Sequence, residues 1–86
     1  MEKIKLNATQ KKVLQTEYKK YEDRKNKGII RTIRYFGKEY EAMVEVLDMA
    51  ERLEEELHAE DEVNNKYGTW ILIWFWDKYR EQEGMI

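Results

Sequence analysis

The 86-residue chain contains no cysteine, no proline and no serine, and only one histidine. Without cysteine there is no disulfide, no zinc-thiolate site and no thiol nucleophile. Small secreted domains usually need such staples, so their absence points to a reducing cytoplasm. Without serine a Ser-His-Asp triad cannot be assembled, and the four threonines have no histidine near them in sequence. The four glycines, at 28, 37, 68 and 84, stand singly, which excludes a glycine-rich phosphate loop. The absence of proline suits a helical chain. Met1 to Leu6 lacks the apolar core of a signal peptide. The longest apolar run is seven residues, far short of the ~20 that span a bilayer. Neither a membrane nor a small-molecule substrate is expected, and residues 1–86 are read as one domain.

Charge is plentiful and unevenly placed. Residues 1–38 carry twelve Lys/Arg against four Asp/Glu, a net +8. Residues 39–62 carry one Arg against eleven acids, a net −10, and the rest is neutral, giving −2 in all. Such an asymmetry lets the two halves pair within one chain, between two chains, or with separate partners.

The apolar run is Trp70-Ile71-Leu72-Ile73-Trp74-Phe75-Trp76, and it holds all three tryptophans. It is apolar in any period, so it is buried on most sides whether helix or strand. Asn64 to Gly68 reads as a turn, Thr69 as a helix N-cap and Gly84 as the residue after the helix end, so 69–83 is assigned to helix. A chain this small has little material to surround it. The expectation is that Trp70, Trp74, Phe75, Trp76 and Tyr79 form part of a partner-binding surface as well as core.

Upstream, Asn7 and Gln10 have capping-box spacing, and a helix over 8–26 ends before Gly28. Leu14, Tyr18 and Tyr21 form its narrow apolar stripe. Ile29–Phe36 is rich in strand-prone residues. Two readings stand there: a short helical extension, or a β-hairpin at about 29–44 turning at Gly37-Lys38. A helix over 38–61 follows, with Ile33, Phe36, Tyr40, Met43, Leu47, Ala50 and Leu57 at helical spacing, Leu53 beside them, and an acidic back. The fold class is therefore mainly α, a small three-helix domain with a long central helix; the alternative is α+β with the hairpin.

Glu55 and His58 form one Glu-x-x-His pair near Glu51 and Glu62. Di-iron bundles use two such pairs, and only one histidine exists, so neither a metal nor another cofactor is expected. The acids read as solvated, and no enzyme is expected.

The function expected is a non-catalytic, self-associating protein-binding module, a homodimer of the kind found among small accessory proteins of bacteria and phages. Glu51, Glu54 and Glu55 supply its acidic surface for a basic partner. An inhibitor of a nucleic-acid-binding protein would fit that description. The alternative is a small nucleic-acid-binding regulator using Lys11, Lys12, Lys19, Lys20, Arg24, Lys25, Arg31 and Arg34.

Overall fold

Asn7 accepts the Gln10 backbone N–H at 2.8 Å, and the Gln10 carboxamide accepts the Asn7 N–H at 2.9 Å. This reciprocal box opens α1, Ala8–Lys27, as the sequence spacing predicts. At its far end Gly28 takes φ 68°, and the N–H groups of Gly28 and Ile29 fold back to the carbonyls of Arg24 and Asp23. A left-handed residue there costs glycine little, and it reverses the chain.

The computed structural model describes residues 3–86, and among these the chain is 71% helical with no strand. The fold is mainly α, so the hairpin alternative at 29–44 does not form. The short helix expected over 29–36 does not form either, because this stretch carries no regular structure. Its β-branched residues resist helix, and residues 38–44, the only nearby strand partner, are themselves helical. Side chains fix the stretch instead. Arg31 Nε lies 3.2 Å from the buried Asp23 carboxylate, and Tyr35 packs against the core beside Glu17. The segment thus runs back along α1 and delivers the chain to Gly37, where α2 begins.

Helix α2 spans Lys38–Leu57. It stops four residues before the expected end at Asp61, because His58 adopts the left-handed conformation with φ 50°. Its N–H reaches the Glu54 and Glu55 carbonyls, and Ala59 N–H reaches Glu54 at 3.0 Å. This turn buries Ala59 and sends the chain through one turn of helix, α3 (Glu60–Glu62), and a π-helical turn, Val63–Tyr67. The π-helical turn occupies most of the stretch 64–68 that reads as a turn in the sequence, and it buries Val63 and Tyr67. Helix α4 covers Ile71–Gln82. Thr69 is not its cap: Trp70 stands at the N-cap position and no side chain bonds to the first turn.

One cluster joins Val13 and Leu14 of α1, Ala42, Val46, Ala50 and Leu53 of α2, and Ile73, Trp74, Phe75, Trp76 and Tyr79 of α4. The inward face of α2 is its small-residue face. Bulky aromatics on α4 need a partner with short side chains if the two helices are to pack at native density. The larger stripe expected to be core is therefore turned out. Phe36, Tyr40, Leu47 and Leu57 are exposed, while Ala50 and Leu53 are buried and Met43 is half-buried.

Candidate functional site

Two surfaces stand out once the core is assigned. The first is the outer ridge of α2. Tyr40, Val44, Leu47, Glu51 and Glu54 recur at intervals of four and three, and Glu55 lies four residues after Glu51, which places them on one side of the helix. Its first half is apolar: Phe36, Tyr40, Val44 and Leu47 are 76%, 58%, 51% and 38% exposed. Its second half is acidic. The Glu54 carboxyl is pushed above its usual range, first by loss of solvent and then by the charges of Glu60, Glu51 and Glu55. That shift marks a concentration of negative charge, and the ion pairs found on α2 leave these three glutamates out. Helix α2 also starts with no side-chain cap, so its first-turn amides favour an anion.

The second surface is a cleft of about 460 Å³ between the end of α1 and the turn into α4. Tyr21, Arg24, Lys25, Tyr67, Gly68, Thr69 and Trp70 line it. The Tyr21 ring lies 6.2 Å from that of Tyr67 and 5.8 Å from that of Trp70. Lys20 and Arg24 sit over Trp70, Lys25 over Tyr21 and Lys66 over Tyr67, each between 5.3 and 5.9 Å from the ring centre. Beneath it the Tyr67 hydroxyl donates to Asp77, which also accepts from Arg80. The guanidinium of Arg80 in turn covers Tyr18 at 4.6 Å. This chain fixes the π-helical turn to α4 and so sets one wall of the cleft.

The expected partner-binding aromatics divide sharply. Trp74, Phe75, Trp76 and Tyr79 are 1%, 1%, 4% and 5% exposed, so in the folded chain they are core residues rather than surface. Of the five named, only Trp70 keeps part of its surface, and it faces the cleft. Glu51 and Glu55 are exposed on the α2 ridge, with Glu54 half-buried beside them.

The basic residues divide too. Lys20, Arg24 and Lys25 meet at the cleft, and Lys19 is exposed next to them. Lys11 lies over Tyr79, Lys12 pairs with Glu39 at 3.8 Å and Arg31 with Asp23. Arg34 is exposed in the segment before α2. The eight therefore do not make one phosphate-tracking surface.

Val44, Tyr67 and Lys66 were not among the sequence candidates. Val44 shares a helical ridge with Tyr40 and Leu47, two residues whose spacing alone predicts a core stripe. Tyr67 and Lys66 lie in a stretch whose π-helical geometry has no clear sequence mark. His58 ends α2, and among the described residues no group of three acidic, histidine or cysteine side chains is arranged to hold a metal ion. No described helix is long and apolar enough to cross a membrane. The chain matches no protein-family model, and comparison with curated proteins and with solved structures likewise finds no match.

Proposed function

We propose that the chain is a non-catalytic protein-binding module that works by self-association along the outer ridge of α2, with a second copy of itself as occupant. The observation that carries this reading is the exposed row Phe36, Tyr40, Val44 and Leu47 running into Glu51, Glu54 and Glu55. Contiguous apolar side chains on a small protein mark an interface, and aromatic residues are enriched at such places.

Charge selects the occupant. If two α2 helices lie antiparallel and cross at Val44, residues equally far from Val44 on either side face each other. Glu51 and Glu54 of one copy then approach the start of the partner's α2 and Arg34, exposed in the segment before it, and a two-fold axis makes both contacts twice. The acidic end of each helix also meets the uncapped start of its partner, the favourable sense for the helix dipole. The apolar halves cover each other at the centre.

The acids on the flank of the ridge, Glu41, Glu45 and Glu56, stay outside this seam. They give the dimer a negative face suited to a basic protein surface. A nucleic-acid-binding protein is one such partner, and the module would act by occupying its site.

A charge swap tests the reading. Glu51→Lys with Glu54→Lys makes one variant, and Arg34→Glu makes the other. Each alone sets like charges against each other and should sediment as a monomer where the parent is a dimer. Mixed in equal amounts, the two should form a heterodimer. A parent that is monomeric at every concentration, or swaps that leave its mass unchanged, would overturn the proposal.

A further inference from the structure

The cleft at Tyr21, Tyr67 and Trp70 combines features that neither the core nor the α2 ridge uses. Its volume of about 460 Å³ lies within the ~300–1,000 Å³ of ordinary ligand sites. Three aromatic rings form its walls, and two of them, Tyr21 and Trp70, are half-buried, so part of each stays open to the cleft. None of its lining residues is acidic, and Lys20, Arg24, Lys25 and Lys66 surround it. Among the described residues Arg24 and Lys25 take part in no ion pair. Glu17, the acid nearest Lys20, is held by it at 2.8 Å. A ligand that fits must therefore offer a flat face and a negative charge together.

The cations already over the rings do not close the site. An exposed cation–π contact is weaker than the stacking of a base on an aromatic side chain. A base can displace a cation from a ring face. The displaced guanidinium or ammonium keeps its reach and gains a phosphate oxygen, where arginine bonds in a bidentate fashion. Gly68, Thr69 and Trp70 also lead directly into α4, whose first turn lacks a side-chain cap and favours an anion at the same end.

The geometry points to a site for a nucleobase with its attached phosphate, stacked on Trp70 beside Tyr21, with the phosphate held by Arg24 and Lys25. Bases within a duplex have no free face to stack, so the ligand is a single-stranded nucleic acid or a free nucleotide, which share this chemistry. No residue of the α2 ridge lines this cleft, although Leu47 shares a neighbouring hollow with Lys20 and Trp70.

Trp70 supplies the readout, because Trp74 and Trp76 are shielded in the core. The full chain is titrated at low salt with a short single-stranded oligothymidylate, with a duplex of the same length, and with thymidine monophosphate. The single strand should quench Trp70 fluorescence and bind about tenfold or more tightly than the duplex. Quenching by the monophosphate at matching affinity assigns the site to free nucleotides; a strand that binds much more tightly assigns it to single strands. Arg24→Gln with Lys25→Gln, both exposed, should weaken binding about tenfold and flatten its salt dependence. Tyr21→Ala should weaken it while Tyr21→Trp retains it. The inference is overturned if no ligand quenches at low salt, if strand and duplex bind alike, or if the Arg24/Lys25 double variant binds as the parent does while keeping its helical circular dichroism.

Discussion

The carboxamide of Gln82 closes on both backbone polar groups of Ile4. It accepts from the Ile4 N–H at 2.7 Å and donates to the Ile4 carbonyl at 2.8 Å, joining residues 78 apart in sequence. The pair fastens the segment before α1 to the end of α4, and Ile4 and Leu6 then pack against the core. Gln82→Ala leaves both Ile4 groups without this partner and should cost about 1–3 kcal/mol in urea unfolding. Glu83→Ala removes the exposed pair with Lys3 and two long 3.5 Å contacts, from the Tyr79 hydroxyl and the Gln82 carboxamide, and should change the midpoint less.

Trp74→Ala opens a large void in the core that Trp74 shares with Ala42, Val46 and Ala50. It should destabilise the fold by about 3–5 kcal/mol. Trp70→Ala should cost less, because part of that side chain is already open to the cleft. In the parent, acrylamide should quench one tryptophan population readily and two poorly. Unfolding curves and quenching plots check both statements.

The aromatic run shows what the sequence could and could not convey. A stretch apolar in every period had to be buried, and α4 is. The number of its sides that one chain can cover depends on α2, which carries two apolar stripes. One is large and one small, and helical spacing fits both. Only the size match between the bulky α4 residues and Ala42, Val46 and Ala50 decides which turns inward, and that is a property of the packed pair. The capping box at Asn7 and the stop at Gly28 were legible because their chemistry is local. The left-handed His58, the π-helical turn and the path of 29–36 were not. Each is fixed by contacts with residues distant in sequence, such as Arg31 with Asp23.

His58 holds φ 50° without being glycine, at a cost from its Cβ of roughly 1 kcal/mol. His58→Gly should therefore raise stability by up to about 1 kcal/mol, and His58→Val should lower it by more than that. Thermal unfolding of the two variants gives the sign directly.

Alkaline pH should unfold the protein through Tyr67. Burial, then the hydrogen bond to Asp77 and its negative charge, hold this phenol well above its ordinary value of 10.0. The neutral ring is thus favoured in the folded state. Its contribution is complete below about pH 10 and is lost as pH climbs beyond it. Burial and the Glu17 charge push Tyr35 in the same direction. Urea midpoints measured on either side of pH 10 should fall, and Tyr67→Phe should reduce the fall while lowering the midpoint at neutral pH, where Asp77 loses a donor.

The most direct test of self-association uses the chain's lack of cysteine. In the proposed antiparallel α2 pair Val44 would lie at the two-fold axis facing its own copy, close to the ~4.4–6.8 Å Cα separation that a disulfide requires. Val44→Cys under mild oxidation should convert rapidly to a covalent dimer. Glu56→Cys, exposed on the flank of α2, should stay mostly monomeric under the same conditions. Slow cross-linking at Val44, no faster than at Glu56, would contradict the account.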